Sequence, residues 1–288
     1  NMGPKRDVLA EWEKAARKHE LPFGISFHAD HAWTWYEPSQ RYDRNGPKAG
    51  IPYDGTLTKA NGKGKWWEGY DPQDLYAQNH PMSKGSWADS MIHSQWAWGN
   101  GACLPTQEYC TNFYDRTLDA INRYNPDLIY FDVTVAPFYP ISDAGLKIAA
   151  HFYNHNMATH GGKLEAVMLS KILDENQRKA IVWDVERGAP NQIMEQPWQS
   201  CSCIGGWHYT TSVYENNWYK SASDVAKLLI DIVSKNGNLL LSVPLRADGT
   251  FDEKEEKILN EFGEWMNINK EAIYNTRPWD CVLYTSDA

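Results

Sequence analysis

From residue 113 onward, short apolar runs alternate with amphipathic segments, and this alternation limits the chain to few folds. Residues 128–131, 164–169, 180–183 and 238–243 are apolar runs of strand length. Between them, residues 113–124 and 143–158 read as helices, and Val225, Leu228, Leu229, Ile232 and Val233 fall at helical spacing. Asp252, followed by Glu255, resembles a capping box and starts a last helix that runs to about Ile268. Upstream, residues 7–18 form a charged, Ala-rich helix and residues 21–28 a strand. A sixth strand is expected near residues 201–204. Strands separated by helices pair in parallel, and near-continuous apolar strands are covered on both faces. An α/β barrel and an open doubly wound sheet both satisfy this pattern. No G-x-G-x-x-G or Walker motif follows a strand, so a nucleotide-binding version has no support.

Residues 29–110 break the alternation. They lack sustained periodicity and are rich in Gly, Pro, Trp, Asn and Asp, which makes them a long loop; loops of that length are usually functional or disordered. Their aromatic content argues against disorder. The chain carries 14 Trp and 16 Tyr. Core packing accounts for most aromatics in any protein. Trp33, Trp35, Tyr36, Trp66, Trp67 and Tyr70 instead cluster in the loop, where flat rings lining a carbohydrate cleft are the competing explanation. The 288 residues suffice for one large domain, and the net charge of −9 argues against a nucleic-acid partner. No run approaches the roughly 20 apolar residues of a membrane helix. The five cysteines lack the spacing of a zinc site, and Cys103 and Cys110 either pair within one loop or stay as thiols.

In parallel α/β folds the chemistry sits at the carboxyl ends of the strands. The 21–28 strand runs into His28, Asp30 and His31, and the 128–131 strand into Asp132. The 164–169 strand runs into Lys171, and the 180–183 strand into Asp184 and Glu186. A carboxylate directly after an apolar run is costly to bury unless it is paired or used. One such Asp is commonly a helix cap or an ion-pair partner. Two carboxylate strand ends in one sheet match what glycoside hydrolysis requires, a nucleophile and a general acid/base. Asp184 and Glu186 compete for the second role. The His28/Asp30/His31 set is a weak metal signal, and hydrogen bonding to sugar hydroxyls or a structural role explains it as well.

Several stretches together resemble the α-L-fucosidases of glycoside hydrolase family 29. They are Gly3-Pro-Lys-Arg-Asp-Val8, Phe23-Gly-Ile25, Asn125-Pro-Asp-Leu-Ile-Tyr-Phe-Asp132, Pro197-Trp-Gln199 with Ile204-Gly205, and the run Val233-Ser-Lys-Asn-Gly-Asn-Leu-Leu-Leu-Ser-Val243 followed by Ala247-Asp-Gly-Thr250. The resemblance spans about residues 3–279. It implies a (β/α)₈ TIM-type barrel and a retaining exo-glycosidase that removes terminal α-L-fucosyl residues from fucosylated glycans by double displacement, without metal or organic cofactor. A galactosidase-like barrel enzyme and a non-catalytic carbohydrate-binding remnant are the alternatives. The family nucleophile falls on Asp132. The acid/base falls on Glu186, with Glu195 in reserve. His28, Trp33, Trp66, Trp67, Lys171 and Trp207 are the candidates for holding substrate.

The match starts downstream of the family's first two strands, so an incomplete barrel is expected, with a gap beside the first strand, exposed sheet edges and poor folding of residues 1–288 alone. Residues 280–288 depart from the family and read as a non-native tail. The resemblance suggests a secreted, periplasmic or lysosomal setting. It says nothing of oligomeric state.

Overall fold

The computed structural model describes residues 5–30, 32–75, 82–83, 102–132 and 137–279. The chain divides into two compact units, residues 1–172 and 173–288. His31 and the 280–288 tail, both singled out in the sequence, lie outside the described residues.

The first unit runs α1 (Val8–Lys18), β1 (Gly24–Phe27), α2 (Ala32–Trp35), α3 (Gln107–Tyr124), β2 (Leu128–Phe131), α4 (Ala144–Thr159) and β3 (Val167–Ser170). β2 pairs in parallel with β1 on one side and β3 on the other, so Phe27, Phe131 and Ser170 form one row across the three strands. Asp7 caps α1 by accepting the Ala10 N–H at 3.0 Å. α3 ends on Asn125 in the left-handed conformation at φ 42°, which Asn tolerates at a helix end. Asp127, next to β2, accepts the Phe23 N–H at 2.7 Å and pairs with Arg17 at 2.5 Å, which fixes the entry of β1 beside β2. Ile129 and Phe131 are fully buried, and the Phe131 ring lies 6.2 Å from that of Phe113 on α3. Each such apolar side chain stabilises the unit by about 1.5–3 kcal/mol. Because side chains alternate along a strand, committing residues 129 and 131 to the helices turns Tyr130 and Asp132 to the other face.

Among the described residues β1 pairs with β2 alone. A cavity of about 530 Å³ lies beside it, lined by Leu9, Trp12, Leu21 and Phe23 among others, and Trp12 and Leu21 are exposed. This is the gap expected beside the first strand.

The second unit runs β4 (Val182–Glu186), β5 (Trp198–Cys203), α5 (Thr211–Asn216), α6 (Ala222–Ser234), β6 (Gly237–Ser242) and α7 (Glu253–Asn269). β5 pairs in parallel with β4 and β6. Trp198 is buried and donates its indole N–H to the Lys235 carbonyl at 2.8 Å. Gly237 opens β6 directly against that ring. A Cβ there would come within 2.5 Å of the Trp198 ring, so only glycine fits. Ser221 and Asp224 form a capping box on α6, and Asp252 caps α7 by accepting from the Lys254 and Glu255 N–H groups.

Some sequence expectations are displaced. α3 starts at Gln107, six residues earlier than its apolar spacing suggests, because Thr106 caps it by accepting the Tyr109 N–H. The 29–110 segment therefore closes on a helix, and it also contains α2 and short 3₁₀ turns at Glu37–Gln40, Asp54–Thr56, Lys59–Gly62 and Pro72–Leu75. β4 extends through Glu186, so Asp184 lies inside the strand. α5, six residues long, is too short for periodicity to reveal. No α-helix follows β3 or β4 among the described residues, so the alternation is less regular than the sequence suggests. Cys103 and Cys110 do not pair. Cys110 is a buried thiol on α3, and the Cys103 thiol points at the Leu104 carbonyl.

Candidate active site

The row after Phe27, Phe131 and Ser170 is His28, Asp132 and Lys171. Three parallel strands in register thus deliver three ionisable side chains to one strand-end layer of the first unit. The Lys171 ammonium lies 3.1 Å from Asp132 Oδ1, and His28 Nδ1 lies 3.5 Å from Oδ2. The Tyr130 hydroxyl, two residues back on the same face, donates to Oδ1 at 2.6 Å. His28 is held in turn through Nε2, 2.8 Å from Ser26 Oγ.

Burial grades this cluster. The Lys171 side chain is 5% exposed and that of Asp132 33%, so the cation is sealed below a carboxylate that still reaches solvent. A buried ammonium needs a carboxylate partner. Lys171 and Tyr130 converge on Oδ1 and His28 lies by Oδ2, which fixes the carboxylate plane. Behind the layer lies Asp30, sealed between the end of β1 and α2. Loss of hydration pushes its carboxyl up to about 7, against a lowering by its own backbone N–H, and Asp132 adds to the rise.

In the second unit Asp184 and Glu186 share a face of β4 and separate in environment. Asp184 is buried and accepts from Gln199 Nε2 at 3.1 Å and from the Cys201 thiol at 3.2 Å. Glu186 ends the strand exposed to solvent. Arg187 turns off the strand at φ 53° and lays its guanidinium 4.7 Å from the Trp207 ring centre. Of the two carboxylates, Glu186 is the one in contact with solvent. Glu195, the reserve acid/base, sits differently. It lies just before β5, where its carbonyl accepts from Asn236 Nδ2 next to the start of β6. In a parallel sheet that is the amino-terminal edge, opposite the end that carries Glu186.

The loop tryptophans split. Trp33 does not line a cleft. It is fully buried, packed edge-on to Tyr109 with ring centres 4.7 Å apart, and its indole N–H donates to the Cys103 carbonyl at 2.8 Å. A ring enclosed on all sides has no face for a sugar. Trp67 packs against Gly62 of its own turn, with the Lys65 ammonium 5.5 Å from its ring centre. Trp66 is 95% exposed and Trp35 is also exposed, so both are open to a ligand. The structure thus gathers His28, Asp132 and Lys171 in one cluster and takes Trp33 out of the substrate set. Ser26 and Tyr130 join the site without having been singled out. Both stand two residues before a flagged strand end, and period-two alternation was the available signal.

The α-L-fucosidase family model matches residues 1–271. An α-L-fucosidase of Dictyostelium discoideum is 34% identical over 202 residues, covering 66% of this chain and 42% of that protein. The Thermotoga maritima α-fucosidase structure in complex with a mechanism-based inhibitor superposes with a TM-score of 0.56 at 23% identity, covering 96% of this chain and 49% of that one. A family 29 α-L-fucosidase from Bacteroides thetaiotaomicron, a trapped covalent intermediate, gives 0.56 at 16% identity, over 96% of this chain and 54% of that one. At such identities the superpositions speak for the fold, that of an incomplete (β/α) barrel. The chain spans about half the length of these relatives. With nearly its whole length matched by the family model, the chain belongs to the α-L-fucosidase family.

Proposed function

We propose that this chain carries catalytic residues of a retaining, exo-acting α-L-fucosidase that releases terminal α-L-fucosyl residues from fucosylated oligosaccharides or glycoconjugates. The observation that carries this reading is Asp132, a carboxylate at a parallel strand end with an ammonium, a phenol and an imidazole arranged around its two oxygens. In the first step Asp132 attacks the anomeric carbon and forms a glycosyl ester, while Glu186 gives a proton to the departing glycosidic oxygen. In the second, Glu186 takes a proton from water, the water attacks the anomeric carbon, and the ester bond to Asp132 breaks. Lys171 and His28 hold the Asp132 carboxylate, and His28, about half exposed, is also placed to meet a sugar hydroxyl. The inhibitor complex of the Thermotoga enzyme and the trapped intermediate of the Bacteroides enzyme support a covalent step in the family.

The test compares aryl α-L-fucoside with aryl galactoside, using this chain and a longer parent that spans the length of the relatives. Fucoside hydrolysis is expected to dominate, and Asp132→Ala to lower kcat by about 10⁴-fold, with partial rescue by azide or formate. Preference for galactoside would move the substrate class. Sugar binding without turnover in the longer parent would make the fold a carbohydrate-binding one. Near-normal activity in Asp132→Ala would remove Asp132 from the mechanism.

A further inference from the structure

The mechanism above leaves one buried ionisable group of the site unused. Asp30 follows β1 by three residues and is 1% exposed. Neither of its side-chain oxygens has a hydrogen-bond partner. Fully buried Trp33 of α2 follows it in the chain, and the Tyr109 hydroxyl of α3 donates to the carbonyl of Ala29 beside it. A carboxylate in such a place loses its hydration and gains little beyond the pull of its own backbone N–H in return. Among the described residues, the ionisable groups on the surrounding elements are His28 of the β1 end, Asp132 of the β2 end, and Tyr109, Cys110 and Arg116 of α3. Lys171 of the β3 end is committed to Asp132, and α2 contributes Trp33 and Thr34, which do not titrate in this range. Among the described residues none of these makes a hydrogen bond or ion pair with the Asp30 carboxylate.

We propose that Asp30 is a positioning residue for Asp132: a neutral acid beside the Asp132–Lys171–His28 cluster, whose loss of its proton puts a second negative charge next to Asp132 and loosens that cluster. The inference rests on reading Asp132 as the nucleophile. Like charges sharing one small site do not both ionise freely. With Asp30 protonated, Asp132 keeps its pair with Lys171 undisturbed. With Asp30 ionised, a second negative charge acts on Asp132, and the aim of Asp132 is lost. Asp30 is sealed from substrate, so it acts only through Asp132.

Carboxyl ¹³C NMR of this chain labelled at aspartate tests the idea without needing turnover. The wild type is expected to show one Asp resonance titrating near pH 7, where burial places Asp30. The Asp132 resonance, assigned by its absence in Asp132→Asn, is expected to shift in the same pH range. In Asp30→Asn both steps vanish. The Asp30 step is read in the wild type, so it stands whether or not the Asn variant folds, and Asp30→Ser is the second variant for the Asp132 step. An Asp30 carboxyl titrating below pH 5 overturns the proposal, and so does an Asp132 resonance that moves identically with and without Asp30. On aryl α-L-fucoside, kcat/KM is expected to fall through the same range in the wild type, and this limb to move to higher pH in Asp30→Asn. Both NMR steps without any hydrolysis would sink the fucosidase reading and leave Asp30 standing. Hydrolysis without the NMR steps would do the reverse.

Discussion

The strand ends of the two units hold their carboxylates in opposite ways. In the first unit, Asp132 has Lys171, Tyr130 and His28 around its two oxygens, and the Lys171 cation is sealed from solvent. In the second, Asp184 is buried and occupied by Gln199 and Cys201, and the exposed carboxylate is Glu186 at the very end of β4. One arrangement fixes a carboxylate in position and the other leaves a carboxylate in contact with solvent. In the double displacement proposed above, the nucleophile has to be held in place and the acid/base has to reach water.

Replacing Glu186 by Gln sharpens that comparison most. The loss is expected to depend on the leaving group. Fucosides with poor leaving groups need the proton and drop by ~10²–10³-fold, whereas activated aryl fucosides, which depart unaided, keep far more of their rate. Measuring kcat/KM across a series of leaving groups checks this. Equal losses along the series would take Glu186 out of the acid role. Because Glu186 is exposed, its removal is expected to leave the melting temperature unchanged.

Lys171→Met breaks the first unit's side of the comparison. It deletes the cation beside Asp132 and leaves an apolar chain of similar volume where 5% of the lysine is exposed. A hydrogen bond between charged groups contributes about 1.5–3 kcal/mol, so kcat is expected to fall ~10–100-fold. Full activity in Lys171→Met would show that Asp132 needs no cation, and the mechanism would lose its main electrostatic support.

Strand ends were legible in the sequence because an apolar run that stops at an ionisable residue marks both burial and its limit. His28, Asp132, Lys171 and Glu186 all come from that pattern, and the parallel register brings the first three together. Trp33 was not legible. It lies in a segment without periodicity, and only the packing of Tyr109 and Phe138 around it shows that it belongs to the core. The place of Glu195 was hidden for a related reason. Sequence distance from Glu186 is short, yet the chain between them runs from the carboxyl end of β4 to the amino end of β5. The choice between Asp184 and Glu186 depended on where β4 stops, and strand ends are what periodicity fixes least well.

Tyr130 gives the smallest expected effect and the finest probe of the cluster. Its side of β2 faces away from Ile129 and Phe131, which hold the strand to the helices, so Tyr130→Phe leaves the apolar contacts of the strand intact. What it removes is the phenol's hydrogen bond to Asp132 Oδ1 at 2.6 Å. Lys171 stays on the same oxygen at 3.1 Å, so the carboxylate keeps its charge partner and loses part of its aim. A hydrogen bond of this kind contributes about 0.5–1.5 kcal/mol, which predicts a ~3–10-fold fall in kcat with aryl fucoside. The melting temperature is expected to stay within about 2 °C of the wild type, since a half-buried phenol ring keeps its packing as phenylalanine. A drop as large as that of Lys171→Met would mean that the phenol, and not the ammonium, sets the position of Asp132. No change in kcat would mean that the lysine and the imidazole hold the carboxylate without it.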